Sequence, residues 1–318
     1  MATTAGGAGT GPEPGTGTGT GSHAVPVTGK PGELEDGLNR LFYHPLSRRL
    51  ARALCPTPVT PNMVSVIGGL LIAGAGAAYV GLGWPLGVAV GLMLHLLWHV
   101  VDGADGDLAR MTGRASPTGE LVDGLCDYGG HVALYVTLGM ALDDRIGGWA
   151  WVLAVGAGAS RIVQSNHAES GRRTYLHWAY GVPWLRSSAA APRSGIARVF
   201  GSLGTLYVQV AALTSPATER ANAVVEAAER DGRQRPLRRF VRVAARRTLP
   251  LQSALGPNWR TLLLGASMAL GSPAWFFAAE ITALNLVLAL SIARQERMAR
   301  RLIARFRGDG SGALPKLS

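Results

Sequence analysis

The sequence predicts an all-α integral membrane protein with six transmembrane helices. A cytoplasmic amphipathic helix precedes them, and a cytoplasmic helical insert separates the fourth from the fifth. Three observations lead there. Of 318 residues, 47% are hydrophobic and only 16% charged, against roughly 25% charged in ordinary soluble domains. From Asn62 to Val100 there is no Asp, Glu, Lys or Arg. As one helix that run would measure about 58 Å, nearly twice a ~30 Å hydrocarbon core, so it must cross twice. The formal net charge is +11, and the basic residues gather beside apolar stretches as the positive-inside rule expects. Anionic membrane lipid, not nucleic acid, is the partner this charge implies.

Taken in order, residues 1–32 hold ten Gly and seven Thr, too little apolar surface to offset the entropy of ordering, and read as a disordered tail. Residues 1–29 have no Lys or Arg and no apolar core of a signal peptide, so the first transmembrane helix is expected to do the targeting. Residues 33–58 interleave Leu38, Leu41, Phe42, Leu46, Leu50 and Leu54 with Arg40, Arg48, Arg49 and Arg52, the pattern of a helix lying on the cytoplasmic membrane surface.

The catalytic block, 59–168, is expected to hold crossings at about 60–81, 84–106, 117–142 and 147–168. The first pair is broken at Gly81-Leu82-Gly83-Trp84-Pro85. Two further crossings, about 257–271 and 274–293, complete six; Pro273 also permits a bent re-entrant arrangement there. Ile196–Leu213 is apolar enough for a seventh. Parity argues against it: residues 216–258 carry nine Arg against four acids, and an extra crossing would put them outside. Residues 169–256 are therefore expected as a cytoplasmic insert, and 294–318 as a basic cytoplasmic tail. The two cysteines, Cys55 and Cys126, lie in no CxxC or Cys/His spacing, so neither a disulfide framework nor a zinc site is expected.

One passage concentrates the chemistry. Asp102-Gly-Ala-Asp105-Gly106-Asp107-Leu-Ala109-Arg110 is followed, eight residues on, by Gly119-Glu120-Leu-Val-Asp123-Gly-Leu-Cys-Asp127. Asp102 and Asp105 share one helix face, and Asp123 and Asp127 share another across a short loop. Carboxylates so close persist at low dielectric only when paired or bound to cations. All-oxygen ligands point to a hard cation, Mg2+ or Mn2+, which also takes phosphate oxygens. Gly103, Ala104, Gly106 and Ala109 leave room for a bulky polar ligand beside the backbone, and Arg110 can clamp a phosphate. Asp107 is read as an extra, solvent-facing acid. His95, His99 and His131 lie at helical spacing from the acids and are read as packed bundle histidines, not ligands.

The complete spacing, Asp-x2-Asp-Gly-x2-Ala-Arg-x8-Gly-x3-Asp-x3-Asp, resembles the signature of the CDP-alcohol phosphotransferases at every fixed position. The resemblance implies a six-helix membrane bundle in which a CDP-linked alcohol binds at the cytoplasmic face and CMP leaves. It implies that Asp102, Asp105 and Asp123 hold metal, that Asp127 acts as base and can join a second metal, and that Gly106, Ala109, Arg110 and Gly119 line the CDP site with Asp102 and Asp105. Thr60-Pro61-Asn62-x-x-Ser65 resembles the segment that opens the first span in relatives, which adds Asn62 to the nucleotide site.

After the fourth span, Arg161, Asn166, His167, Glu169, Arg172 and Arg173 form a candidate acceptor pocket. Asn166 and His167 depart from the basic pattern of inositol phosphate users. Glu120 and the wording around Cys126 lean towards choline and ethanolamine phosphotransferases, but Gly124 stands where those carry His; Glu120 remains as an auxiliary acid. The expected function is transfer of a phospho-alcohol from a CDP-alcohol to an acceptor alcohol, one of the two substrates a lipid, in phospholipid biosynthesis. The same resemblance implies a homodimer and a cytoplasmic active site; a bacterial-type inner membrane is expected, with both termini cytoplasmic by the charge distribution. The alternatives are a cation transporter, which would spread acids through several spans, and a non-catalytic scaffold that docks through its insert.

Overall fold

The computed structural model describes residues 31–34, 36–182 and 216–306, and these contain helices and no strand. Residues 1–30 of the Gly/Thr-rich tail and Ile196–Leu213 fall outside the described residues. A π-helical turn, Asn39–Tyr43, leads into α1 (His44–Leu54), α2 (Pro61–Gly81), α3 (Leu86–Met111), α4 (Pro117–Ile146) and α5 (Trp149–Tyr180). Then come α6 (Pro216–Arg230), α7 (Gln234–Ala245), α8 (Leu249–Ala254), α9 (Pro257–Ala269), α10 (Ala274–Ile281) and α11 (Ala283–Phe306).

Among the described residues three helical stretches are long and apolar enough to cross a membrane: α2, α3 and the α10–α11 run Ala274–Phe306. They mark the chain as a membrane protein. Helices α4 and α5 have 30 and 32 residues, long enough to cross at 1.5 Å per residue. Helix α9 has 13, about 20 Å, short of the ~30 Å core. The expected break after α2 is present, with Trp84 72% exposed in the turn.

Local signals start and stop these helices. Thr60 Oγ1 accepts the Met63 amide at 3.3 Å and Pro61 occupies the first turn of α2, where a missing N–H costs nothing. Ser116 caps α4 the same way, accepting the Gly119 amide at 3.0 Å. Ser267 ends α9: its hydroxyl donates to the Ser272 carbonyl at 2.6 Å and accepts the Phe276 amide at 2.9 Å.

Small residues set the spacing of the first helices. An added Cβ at Gly69 of α2 would stand 2.7 Å from the Cys126 carbonyl oxygen, and one at Gly130 of α4 would stand 2.7 Å from the Gly69 oxygen. The two backbones therefore touch, as small-residue crossings in lipid do. This contact fixes the depth at which α4 presents its acids. Gly69→Val is expected to destabilise by about 1–3 kcal/mol through overpacking and to lower activity with it. Gly74→Ala, whose Cβ would meet only Leu94 at 3.8 Å, is the neutral control; equal thermal midpoints for the two would refute the contact argument.

Two cores result. One joins α2, α3, α4, α5, α9 and α10 through residues such as Ile72, Trp98, Leu138, Leu264 and Phe277. The other joins the far end of α5 (Tyr175, Trp178) to α6, α7 and the end of α11 (Leu302, Phe306). Helix α5 enters both because it continues unbroken through residue 168, where the sequence suggested the end of a crossing. Helix α1 packs on α3 through small residues: Ser47 Oγ donates to the Val100 carbonyl at 2.8 Å and Ala51 is fully buried. Leu41, Phe42 and Leu46 point outward, the arrangement of a surface helix.

Candidate active site

The loop between α3 and α4 is short, with Gly113 at φ +67° closing α3 in the left-handed region that glycine adopts freely. It folds the last turns of α3 against the first turns of α4 and gathers the four motif carboxylates. Asp102 lies beside Asp127, and Asp105 beside Asp123. Ligand oxygens of Asp102, Asp123 and Asp127 all lie within 4.8 Å of one another.

Each acid has its own surroundings. Asp105, 6% exposed, accepts the Ser65 hydroxyl on Oδ2 at 2.5 Å and the Gly106 amide on Oδ1. It stands one step behind the group of three, touching it through Asp123. Asp127 Oδ1 accepts the Trp98 indole N–H at 3.0 Å, which leaves Oδ2 as the freer oxygen. Asp107 does not face solvent as expected: its side chain is 17% exposed and accepts Arg110 Nη2 at 2.7 Å. Arg110 folds back over Gly106, where an added Cβ would lie 3.3 Å from its Nη1. Ala109 is half-buried beside it. Across the mouth, Asn62 Oδ1 lies 3.6 Å from where a Gly119 Cβ would sit. Gly106 and Arg110 thus meet at the end of α3, and Asn62 and Gly119 at the starts of α2 and α4, with Glu120 exposed on the first turn of α4.

A cavity of about 500 Å³ opens on the other side of the acids. Asp102, Asp127, His131, Arg161 and Arg260 line its polar end. Its walls are Val132, Val136, Trp151, Val155 and Ile162, which are 37–68% exposed. It is an apolar groove between α4 and α5 leading to a charged end.

The histidines are packed. His131 Nδ1 bonds the Asp127 carbonyl at 2.8 Å, His99 Nε2 bonds Thr261 Oγ1 at 2.9 Å, and the His95 ring stacks parallel to His99.

Of the acceptor candidates, Arg161 lies in the groove, its guanidinium 5.9 Å from the Tyr135 ring centre. Glu169 binds Arg172 through both oxygens at 2.7 Å and Arg173 at 2.6 Å. Asn166 is half-buried. His167 departs from expectation: it is 5% exposed and bonds Ser291 Oγ at 2.9 Å, a contact between α5 and α11 that takes it out of any pocket.

The sequence reading missed Trp98, Arg260 and Glu280. Arg260 and Glu280 are 2% and 0% exposed and pair at 3.1 Å, with Arg260 also reaching Gln164 and Ser165. The available signal was a lone charge inside each of two apolar segments, which marks a site by default.

Residues 58–183 match the family model described as CDP-alcohol phosphatidyltransferase. The match takes in α2 to α5 and every motif acid. Among curated proteins none matches the chain.

Proposed function

From the match of residues 58–183 to the CDP-alcohol phosphatidyltransferase family, we propose that this protein transfers a phospho-alcohol from a CDP-alcohol to an acceptor hydroxyl and releases CMP, in phospholipid biosynthesis. The observation that carries this reading is the grouping of Asp102, Asp123 and Asp127 at the charged end of an apolar groove. A transporter would need acids along its spans; these sit together at one end of α3 and the start of α4. A scaffold would have no use for the intact constellation.

The donor set fits a hard divalent cation. Three carboxylate oxygens within 4.8 Å repel one another strongly, and oxygen donors of this kind suit Mg2+ or Mn2+. Asp102, Asp123 and Asp127 would hold it, with Asp105 backing Asp123. When bound, such an ion neutralises the diphosphate and the departing CMP.

The chain's own residues do the rest. Arg110, Gly106, Ala109, Gly119 and Asn62 receive the CDP group, with Arg110 exchanging Asp107 for a phosphate oxygen. Asp127 Oδ2 accepts the proton of the acceptor hydroxyl. The acceptor oxygen bonds to the phosphorus that carries the alcohol, and the bond from that phosphorus to the CMP phosphate oxygen breaks. The Trp98 N–H holds Asp127 in position for this. Trp98→Phe is expected to cut turnover about tenfold at unchanged CDP affinity, since one hydrogen bond to a charged group contributes about 1.5–3 kcal/mol. Equal turnover in wild type and variant would remove Trp98 from the account.

The Arg-rich sequence of 216–258 supports a topology with the acids, termini and insert on the cytoplasmic side. The direct test is CMP release by the detergent-purified full chain with Mg2+ or Mn2+ over a panel of CDP-alcohols and acceptors. Metal-dependent release with one donor supports the reading, and a folded protein that binds neither CDP nor metal overturns it.

A further inference from the structure

Helix α11 changes character along one face. Leu286, Leu290, Arg294, Arg297 and Arg301 follow one another at helical intervals of three and four, which stacks them along one side. Leu286 is 72% and Leu290 43% exposed; in a stretch apolar enough to cross a membrane, such side chains face acyl chains. Arg297 and Arg301 are exposed beyond them, and Arg294 is half-buried. A lipid-facing stripe thus runs straight into a stripe of guanidiniums.

A second element adds charge at the same level. Arg294 Nη1 donates to the Arg247 carbonyl at 2.8 Å, and Gln252 of α8 donates to Gln295 at 3.2 Å. The end of α7 and α8 therefore lie against α11 where its Arg stripe begins. Trp259, 51% exposed in the first turn of α9 just beyond, is the residue type that gathers at membrane–water interfaces. From this level α7 runs antiparallel to α11 and away from the span, since Phe240 lies under the Arg305 guanidinium, 5.6 Å from its ring centre.

No acid answers these charges. From Gly232 to Ala279 the chain has no Asp or Glu. The one acid of α11, Glu296, is turned to Arg300 at 3.6 Å and to the Ala217 amide at 2.9 Å. Among the described residues Arg247, Arg294, Arg297 and Arg301 have no acid partner.

Height above the span decides what they meet. At 1.5 Å per residue, Arg294 and Arg297 stand about 3 and 8 Å beyond Ile292, and Arg301 about 14 Å. With a screening length of about 8 Å at physiological salt, the first two feel the phosphate layer and Arg301 lies past it. Arg247 is level with Arg294. Their long stems can follow the apolar surface back towards a phosphate. A zwitterionic head group brings its own cation to that phosphate, whereas an anionic one leaves the charge free for guanidiniums.

We propose that Arg247, Arg294 and Arg297 bind the head group of an anionic phospholipid whose acyl chains lie along Leu286 and Leu290. The site lies outside the residues 58–183 that the family model matches, and apart from the motif acids. A bound lipid bridges the last span to α7, and so ties the second core to the first.

The test is the thermal midpoint of the full chain in uncharged detergent with added phosphatidylglycerol, phosphatidylcholine or inorganic phosphate. Phosphatidylglycerol is expected to raise the midpoint by about 3 °C or more, and phosphatidylcholine by less than about a third of that. Arg247→Gln combined with Arg297→Gln should remove at least about half of the phosphatidylglycerol shift. Arg235→Gln combined with Arg239→Gln, which takes the same charge from the far end of α7, should keep it. Should either double variant melt lower without lipid, phosphatidylglycerol retained through purification, read by native mass spectrometry, replaces the midpoint with the same expected contrast. A shift kept in the Arg247/Arg297 variant, or lost equally in both, would overturn the site, the second by reducing it to attraction by net charge. So would equal shifts with phosphatidylcholine or with inorganic phosphate. An equal shift from polyglutamate without lipid would assign the surface to an acidic protein instead. None of these readouts involves CMP release, so their failure leaves the transferase reading standing.

Discussion

Asp127→Asn is expected to lower CMP release by about 10²–10⁴-fold, the usual contribution of a positioned general base, with CDP affinity within a few-fold of wild type. The substitution preserves shape: the new side-chain oxygen can still accept the Trp98 N–H that Asp127 Oδ1 accepts at 3.0 Å. What disappears is the anionic oxygen able to take the acceptor's proton. Asp107→Asn is the informative companion. Asp107 binds Arg110 at 2.7 Å and lies outside the group of three, so its neutralisation should alter CDP binding and leave turnover at saturation nearly unchanged. The split separates an acid that moves a proton from one that restrains a phosphate clamp. If Asp127→Asn kept more than about a tenth of wild-type turnover, the proton would have to leave by another group. His131 is the nearest alternative, since it lines the same cavity and its Nε2 has no partner.

Much of this site could be read from spacing alone, because the acids lie three and four residues apart on two helices joined by a short loop. Such intervals fix a shared face before any packing is known. The break at Gly81–Pro85 was legible for the same reason, being local. Contacts between distant helices were not. Trp98, which the sequence reading passed over, is core at 3% exposure, yet its N–H reaches Asp127. His167 looked available in a polar stretch, and its Ser291 partner lies on α11, more than a hundred residues on. Asp107 looked like a surface acid because Arg110 reads as free in sequence, while one turn of helix brings the two together.

Glu280→Ala is expected to be the most destabilising single substitution in the bundle. Glu280 and Arg260 are the fully enclosed ion pair among the described residues, 3.1 Å apart at 0% and 2% exposure, and removing one partner of such a pair costs about 3–5 kcal/mol because the other charge is stranded. The network amplifies the effect. Tyr135 donates to Glu280 Oε1 at 3.3 Å, and Gln164 bridges Arg260 Nη2 to the Glu280 carbonyl and to Asn285. Four elements, α4, α5, α9 and α10, therefore meet at this pair, and α11 joins through Asn285. Helix α9 is too short to rely on apolar packing alone. Glu280→Gln keeps the size and an acceptor for Tyr135, so its thermal midpoint should fall between wild type and Glu280→Ala. Arg260→Met combined with Glu280→Ala removes both charges and should recover much of the lost stability. Activity should not recover with it if Arg260, which lines the same cavity as Asp102 and Asp127, also faces substrate. A double variant no more stable than Glu280→Ala would mean that the hydrogen bonds to Gln164 and Ser165, rather than the charge pairing, hold these helices together.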